Sequence, residues 1–181
     1  YKAKCFINAS GPWIDDVLQS SFKKKDSKNV RLVRGSHIVV NKLFDHDRSY
    51  ICQNDDNRIF FMIPYEDNFT LIGTTDIDHG QSAGKVEISE EEKLYICKSA
   101  NEYLNSDIGL NDIVWSYSGV RPLYDDGASK AQEATRDYVI KAEQHESSLL
   151  INIFGGKITT YRRLSEAILK HIEAFLGAKE N

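Results

Sequence analysis

A glycine pair followed by a lysine is the segment of this sequence whose residue types and spacing could do chemistry most directly. Gly155 and Gly156 follow the apolar run 149–154, and Lys157 and Thr159 open a stretch with helical periodicity. Glycine lets another group approach the backbone closely, and a helix N-terminus carries free N–H groups that favour an anion. The pattern predicts a strand–turn–helix junction beside an anionic group, although a junction with a solvated lysine has the same pattern.

Three further polar residues lie in apolar or strand-like contexts. Arg121 stands in the apolar segment 120–123, Arg136 precedes an alternating segment, and His37 precedes a β-rich one. Arginine is rarely buried without a partner, and imidazole titrates near neutral pH. These residue types are compatible with anion binding by the arginines and with proton transfer by the histidine, but the residues alone do not favour those roles. Structural ion pairs and a hydrogen-bonded core histidine are the alternatives.

The elements that must position these residues follow from apolar periodicity and turn signals. We expect strands at 3–9, 30–40, 50–52, 59–63, 69–73, 112–123, 135–142 and 149–154, and helices at 12–22, 89–104 and 159–176. Ser89 and Glu92 have the spacing of a capping box. The apolar faces of the first and last helices include Trp13, Tyr161 and Phe175, which we expect to be buried. The charged loop 125–133 has the composition of a disordered segment.

Composition excludes several classes of function. The formal net charge of −4 gives no bulk attraction to nucleic acid. The three cysteines lack C-x-x-C spacing, which indicates reduced, mostly buried thiols of a cytoplasmic protein. No apolar run approaches the roughly twenty residues of a membrane-spanning helix. Residues 76–80 include metal-ligand types, but the segment resembles a polar turn and we expect no metal site.

Six short motifs, taken together and in their order along the chain, form a more specific signature than any one of them. They are Asn8-Ala9-Ser10-Gly11-Pro12-Trp13, Arg34-Gly35-Ser36-His37, Ile72-Gly73-Thr74-Thr75-Asp76, Ser118-Gly119-Val120-Arg121-Pro122-Leu123, Thr135-Arg136-Asp137-Tyr138 and the glycine–lysine segment. The set resembles the FAD-dependent glycerol-3-phosphate dehydrogenases of the D-amino-acid-oxidase-like flavoprotein superfamily, from about residue 4 to about residue 176. The G-x-G-x-x-G fingerprint of that family occurs nowhere in this sequence. We therefore expect an internal piece of such an enzyme, without its main FAD anchor.

The resemblance implies a fold and a division into domains. The expected class is α+β, with a mainly antiparallel or mixed sheet and flanking helices, plus strand–helix pieces of an FAD-binding α/β domain. Residues 1–29 and 151–181 would belong to the FAD domain and residues 30–150 to the substrate domain.

The resemblance also implies roles for the candidate residues. His37, Arg121 and Lys157 would be catalytic, and these three with Arg136 would bind the substrate. The expected cofactor contacts are Gly11, Trp13, Gly119, Gly155, Gly156, Lys157 and Thr159.

By the same resemblance, the parent enzyme would oxidise glycerol 3-phosphate to dihydroxyacetone phosphate and pass electrons through FAD to quinone. It would be cytoplasmic or peripheral on the inner face of the membrane, and a homodimer. We expect the isolated chain to bind FAD weakly or not at all and to be inactive. The alternatives are an oxygen-using glycerol-phosphate oxidase, a related amine-oxidising flavoenzyme, or a folded binding module without activity.

Overall fold

The computed structural model describes residues 2–25, 27–80, 83–127 and 135–177. In chain order the elements are β1 (Cys5–Asn8), α1 (Ile14–Phe22), β2 (Val30–Asn41), β3 (Tyr50–Gln53), β4 (Ile59–Tyr65), β5 (Phe69–Gly73), β6 (Ile77–Asp78), α2 (Glu90–Asn101), β7 (Ile113–Tyr124), β8 (Val139–His145), β9 (Ser148–Phe154) and α3 (Tyr161–Leu176). Short 3-10 turns lie at Gly11–Trp13, Leu110–Asp112 and Ile158–Thr160. The expected α+β class is confirmed.

The chain forms two compact units. The first contains Tyr1–Leu32 and Arg121–Asn181, and the second contains Val33–Val120. The first boundary lies close to the one expected at residue 30, whereas the second lies at residue 121 rather than at residue 150. Residues 121–150 cluster with the first unit because β8 pairs with β9 along its whole length. The assignment of FAD and substrate domains stays a prediction.

β9 is the central strand of the first unit's sheet. It pairs in parallel with β1 and antiparallel with β8. Strands covered on both faces read as continuous apolar runs, and residues 149–154 are all buried. On one face Ile168 of α3 packs with Ile151 and Ile153, and α1 also contacts β9.

A buried amide pair joins β1 to β9. Asn8 and Asn152 are register partners and are 5% and 2% exposed. The Asn8 Nδ2 atom donates to Asn152 Oδ1 at 3.1 Å and to the Ile14 carbonyl oxygen at 3.2 Å, and Ser10 Oγ donates to Asn8 Oδ1 at 2.6 Å. A buried polar group that loses its partner costs about 1–3 kcal/mol. These bonds therefore fix the turn that leads from β1 into α1.

The second unit contains a six-stranded sheet. Its order is β3–β4–β5–β2–β6, and β7 also pairs with β2. The β3–β4–β5 meander is antiparallel, as its short turns predict. One face packs against α2, where Ile38, Phe60 and Ile72 form a cluster with Ile96 and Ala100. Burying each large apolar side chain stabilises the fold by roughly 1.5–3 kcal/mol.

Some local expectations were wrong. The segment predicted as a polar turn contains Ile77–Asp78, which form β6 and pair with Val33–Arg34. A two-residue strand is too short to give a periodic signal. α2 ends at Asn101 rather than at residue 104, because the Asn101 side chain exchanges two hydrogen bonds with the Ile108 backbone. β8 begins at Val139 rather than at residue 135.

Three aromatic residues that were predicted to be buried are exposed. Trp13 is 51%, Tyr161 66% and Phe175 36% exposed. Trp13 lies in a 3-10 turn and Tyr161 directly follows one, and the three-residue period of such turns breaks the 3.6-residue stripe. Ile14, Leu18 and the central part of the α3 stripe are buried or partly buried as predicted. Residues 128–133 of the charged loop lie outside the described residues.

The remaining composition-based expectations concern cysteines, metals and membranes. Cys5, Cys52 and Cys97 are free thiols, and burial raises the pKa of the Cys52 thiol. The described residues contain no group of three or more His, Cys, Asp or Glu arranged to hold a metal ion. Within that part of the chain, no helix is long and apolar enough to cross a membrane.

A single carboxylate binds four other residues of the second unit. Glu92 is 1% exposed. Its Oε1 atom accepts hydrogen bonds from Ser36 Oγ and Thr75 Oγ1, both at 2.7 Å. Its Oε2 atom accepts from the Ser89 backbone N–H at 3.0 Å and pairs with Arg34 Nη2 at 2.8 Å. The capping box predicted from Ser89 and Glu92 is confirmed, and its glutamate also ties α2 to β2 and to the segment after β5.

The surroundings of Glu92 favour its ionised form. Burial raises its pKa, but the hydrogen bonds from Ser89, Ser36 and Thr75 and the charge of Arg34 outweigh burial, so the pKa is lowered overall. The ionised carboxylate therefore stabilises the fold above the unfolded-state pKa of about 4.3. This stabilisation is lost as the pH falls through the lower folded-state pKa.

Glu92→Gln should destabilise the second unit in a pH-dependent way. The amide keeps the shape of the side chain but leaves Arg34 without its charged partner, so we expect a loss of about 1.5–3 kcal/mol near neutral pH. The difference from the wild type should shrink below about pH 4, where the wild-type carboxylate also becomes neutral. Urea unfolding followed by Trp115 fluorescence in a Trp13→Phe background measures both effects.

The matched control is Glu91→Gln, an exposed residue in the same helical turn. It removes the same charge without touching the buried network and should change stability little. A loss for Glu92→Gln that is equal at all pH values would contradict the role given to the ionised carboxylate.

Candidate functional site

The turn after β9 leads Lys157 to the start of a helix. Gly155 and Gly156 have φ angles of 68° and 98°, which glycine adopts without the steric cost that other residues meet. Lys157 has an extended backbone, and the 3-10 turn Ile158–Thr160 continues into α3. The predicted strand–turn–helix junction is confirmed.

Two other segments approach the backbone of Gly155. A Cβ atom on Gly155 would lie 3.2 Å from the carbonyl oxygen of Asp137 and 3.6 Å from that of Pro122. Arg136 and Arg121 directly precede these two residues. The glycine therefore lets the backbone of both arginine-bearing segments come close to the turn that carries a lysine.

An aromatic contact holds the same strands together. The rings of Tyr124, at the end of β7, and Phe154, at the end of β9, have centroids 5.5 Å apart. Lys141 Nζ of β8 lies 4.7 Å from the Tyr124 centroid and 5.5 Å from that of Phe154. Such cation–π contacts stabilise a partly exposed site by about 0.5–1 kcal/mol, so three strands are joined near the glycine turn.

The three cationic candidates differ in exposure. Lys157 and Arg136 are exposed and Arg121 is half-buried. Arginine presents several N–H donors in a planar fork that matches a phosphate, and lysine contributes a compact charge. Cationic side chains of these types suit an anionic ligand.

The hydroxyl of Thr160, rather than that of Thr159, holds the start of the helix. Thr160 Oγ1 donates to the Lys157 carbonyl oxygen at 3.0 Å and accepts from the Lys157 N–H at 3.4 Å. Thr159 is exposed. Of the two threonines considered for the cap, Thr160 has this role, and the contact of Thr159 with a cofactor stays a prediction.

Three other predicted cofactor positions are open. Gly11 has a φ of 59°, and no atom of the described residues lies within 4 Å of the Cβ position of Gly11 or of Gly119. The side chain of Trp13 is half exposed. Packing within the described part of the chain therefore does not explain these residue types.

His37 lies on β2 in the second unit, opposite Gly73 of β5. A Cβ atom on Gly73 would lie 2.5 Å from His37 Cδ2 and 2.8 Å from His37 Cγ, so the imidazole fills the space that the glycine leaves. The ring of Tyr117 on β7 stacks on the imidazole, with centroids 4.8 Å apart and an interplanar angle of 7°.

The residue before His37 belongs to the Glu92 network. Ser36 Oγ is 2.7 Å from Glu92 Oε1 and 2.8 Å from Ser118 Oγ. Ser36 is fully buried. The backbone that carries His37 is therefore fixed by a charge-assisted network.

The structure divides the predicted site residues between the units. The segments of Arg121, Arg136 and Lys157 meet in the first unit, whereas His37 lies in the second. The expectation that all four side chains line one cleft stays a prediction.

Sequence reasoning did not identify Gly73, Tyr117 or Glu92 as parts of the site. Gly73 is the last residue of β5, and a glycine in a strand often marks the close approach of another group. That signal could have identified it. The partners of Tyr117 and Glu92 are distant in sequence, so local spacing carries no signal for them.

A strand that ends in a glycine–lysine turn beside two arginine-bearing segments is an arrangement suited to an anionic ligand next to a helix N-terminus. The chain belongs to the DAO family of FAD-dependent oxidoreductases, whose family model matches residues 1–162. The fold and the family agree with the resemblance found in the sequence motifs.

Two curated relatives are equally similar to this chain. The glycerol-3-phosphate dehydrogenase of Pseudomonas aeruginosa is 42% identical over 97% of this chain and 35% of its own length. The D-erythritol 1-phosphate dehydrogenase of Brucella abortus is 42% identical over 98% of this chain and 36% of its own length. The chain thus spans about a third of the length of the curated relatives it matches.

A solved structure has a similar fold. The glycerol-3-phosphate dehydrogenase from Bacillus halodurans, complexed with FAD, superimposes with a TM-score of 0.73 at 29% sequence identity. The match covers 97% of this chain and 33% of that one.

The residues of this chain fit one part of FAD. Gly156 and Lys157 are exposed at the glycine turn, and a cation beside backbone N–H groups stabilises negative charge on a ring edge. The charge of Lys157 and the open backbone at Gly156 are the features that the edge of a flavin would need. The pyrophosphate is usually held by a G-x-G-x-x-G segment, which is absent from these 181 residues.

Gly155→Ala should destabilise the first unit more than a positive φ angle alone explains. The new Cβ atom would add a 3.2 Å approach to the Asp137 carbonyl oxygen to the strain of the left-handed backbone. We expect the free energy of unfolding to fall by about 2–4 kcal/mol. Urea unfolding followed by Trp13 fluorescence in a Trp115→Phe background measures the change.

Gly177→Ala is the matched control. Gly177 also has a positive φ, of 82°, but no atom of the described residues lies within 4 Å of its Cβ position. The free energy of unfolding should fall by about 1–2 kcal/mol in this control variant. Equal losses would mean that the Asp137 backbone moves aside and that the approach does not require glycine.

Proposed function

We propose that this chain is part of an FAD-dependent polyol-phosphate dehydrogenase, with glycerol 3-phosphate as substrate and dihydroxyacetone phosphate as product. The observation that carries the proposal is the approach of the two arginine-bearing segments to the Gly155–Lys157 turn. The relatives at 42% identity support the same class of substrate.

Arg136 would bind the substrate's phosphate, and Arg121 and Lys157 would also contact the substrate. A phosphate monoester is close to a dianion near neutral pH, and it matches the forked donors of arginine. Exposed positions suit the capture of the anion from solvent, and the half-buried Arg121 suits a contact nearer the reacting carbon.

His37 would accept the proton of the hydroxyl group on carbon 2 at one of its imidazole nitrogens. Such a base must come within about 2.6–3.2 Å of the hydroxyl oxygen. FAD, when bound, supplies the acceptor for the two electrons of this oxidation. Lys157 would stabilise negative charge at the edge of the flavin.

D-Erythritol 1-phosphate is the second candidate substrate, because the dehydrogenase named for it is as similar to this chain as the glycerol-3-phosphate enzyme. The two substrates share a phosphate ester and a neighbouring secondary alcohol. They differ in the length of the polyol tail, so contacts to the tail would select between them.

We propose quinone as the electron acceptor of the complete enzyme, which would then work as a homodimer at the inner face of the membrane. Quinones dissolve in the bilayer, so a peripheral enzyme would reach them from the membrane surface. Flotation with vesicles and the size of the purified enzyme in solution test these two parts of the proposal. If the enzyme does not float with quinone-containing vesicles, the proposed membrane association is contradicted. If the purified enzyme is a monomer, the proposed homodimer is contradicted.

The complete enzyme should reduce a dye acceptor with glycerol 3-phosphate, and the ratio of kcat/KM for this substrate and for D-erythritol 1-phosphate identifies the better one. Glycerol itself should be at least about a hundredfold poorer, because it lacks the charged group that the cations bind. Turnover of a secondary amino acid that carries no phosphate would instead support the amine-oxidising alternative. Hydrogen peroxide formed in step with the product would favour oxygen as acceptor.

The 181-residue chain alone is the control for this assay. Because it lacks the pyrophosphate fingerprint, we expect it to lose FAD on gel filtration and to show no turnover. A yellow chain with one flavin per molecule would contradict this expectation. A folded chain without flavin, together with a complete enzyme inactive on every substrate, would favour a binding module.

Arg121→Lys and Arg136→Lys should differ in their kinetic effects in the complete enzyme. Lysine keeps the charge but loses the planar fork. If Arg121 contacts the substrate near the reacting carbon, loss of this contact in Arg121→Lys should lower kcat by about tenfold to a hundredfold. A residue that binds only phosphate acts equally in the ground and transition states, so Arg136→Lys should mainly raise KM.

Arg163→Lys is the matched control, since Arg163 is an exposed arginine on α3, and it should leave both constants unchanged. If Arg121→Lys and Arg136→Lys change only KM, Arg121 has no special role at the reacting carbon. The two arginines would then be anion-binding residues alone.

A further inference from the structure

The side chain of His37 is enclosed by two neighbours on adjacent strands. Gly73 pairs with His37 across β2 and β5, and the imidazole lies where a Cβ atom of residue 73 would be. The parallel ring of Tyr117 lies with its centroid 4.8 Å from that of the imidazole. These contacts define where the ring plane lies.

We propose that Tyr117 is a positioning residue that sets the plane of the His37 imidazole for proton transfer. This inference rests on the proposed function, in which His37 accepts the substrate's hydroxyl proton. Gly73 gives the imidazole its place, and the Tyr117 ring prevents it from rotating out of that place.

The stack orients the ring through its face. A hydrogen bond would orient an imidazole by using one of its nitrogens, whereas stacking and steric contact act on ring carbons and the π surface. The Tyr117 contact therefore acts on the plane of the ring and does not itself occupy either nitrogen atom. This suits a residue that works as a base.

Tyr117 is itself held in register with His37. The next residue, Ser118, lies 2.8 Å from the hydroxyl of Ser36, the residue before His37. The ring of Trp115 packs on Tyr117 at a centroid distance of 5.4 Å and an angle of 34°. Tyr117 and Ser118 of β7 thus contact His37 and Ser36 of β2, respectively. These paired contacts make the stack a fixed part of the sheet.

The sheet face that carries His37 is open to ligands. Ile51, Phe61, Gly73 and His37 are successive register partners across β3, β4, β5 and β2. Ile51 is 73% and Phe61 36% exposed, and Tyr117 is 38% exposed. Residues on this side of the sheet therefore remain accessible while the opposite face packs against α2.

The test compares Tyr117→Phe with Tyr117→Ile in the complete enzyme. Phenylalanine retains the stack and isoleucine, a good strand former, removes it. A displacement of about 1 Å at a reacting group can cost about a hundredfold in rate. We expect Tyr117→Ile to lower kcat by about tenfold to a hundredfold with KM changed less than about threefold, and Tyr117→Phe to keep kcat within about threefold.

Crystal structures of the two variants give a readout that a general loss of stability would not produce. The imidazole plane should stay within about 20° of its original orientation in Tyr117→Phe and should rotate further in Tyr117→Ile. Val114→Ala is the matched control: it shortens an exposed side chain of the same strand, and the His37 orientation should not change. If Tyr117→Ile does not fold, Tyr117→Thr serves in its place.

Three outcomes would overturn the inference. A normal kcat in Tyr117→Ile would show that the stack is not needed, and an unchanged imidazole in that variant would show that it does not orient the ring. An equal loss in Tyr117→Phe would assign the effect to the hydroxyl group. His37→Asn separates these failures from failure of the proposed function, because unchanged turnover in that variant would mean that His37 is not the base.

Discussion

The second unit depends on one buried carboxylate. Glu92 caps α2 through Ser89, and the same group binds Ser36 on β2, Thr75 after β5 and Arg34. A buried charge is tolerated only when it is paired and hydrogen-bonded, so the helix cannot slide along the sheet without losing several of these bonds. The residue that ends the local capping motif therefore also fixes the register between helix and sheet.

Local signals in the sequence predicted most of the fold. The capping box at residues 89–92 depends on a three-residue spacing, and the β3–β4–β5 meander depends on short turns, so both could be read without knowledge of the tertiary structure. The same reasoning missed β6, which consists of two residues, and placed Trp13 in the buried stripe of α1. It also could not predict that the capping glutamate pairs with Arg34, because that contact joins residues far apart in the chain.

The candidate site was predictable in part, for a related reason. Gly155, Gly156 and Lys157 are contiguous, and their residue types alone indicate a turn beside an anion. Arg121 and Arg136 carry a weaker signal, and only the fold shows that the backbone next to each approaches Gly155. Tyr117 carried no signal at all, since an aromatic residue in an alternating strand is ordinary. Its relation to His37 arises from the pairing of β7 with β2.

Each of the two candidate regions, around Gly155 and around His37, depends on a glycine, but for a different physical reason. Gly155 has a positive φ angle, so its turn would favour glycine even without the nearby Asp137 carbonyl. Gly73 has no such angle, and the atoms nearest to an alanine Cβ there would be those of the His37 imidazole and the Ser36 carbonyl oxygen, 2.9 Å away. The first glycine therefore reports on the path of the backbone, and the second on the position of one side chain. A glycine within a strand, opposite a histidine, is for this reason the more specific indication of a functional side chain.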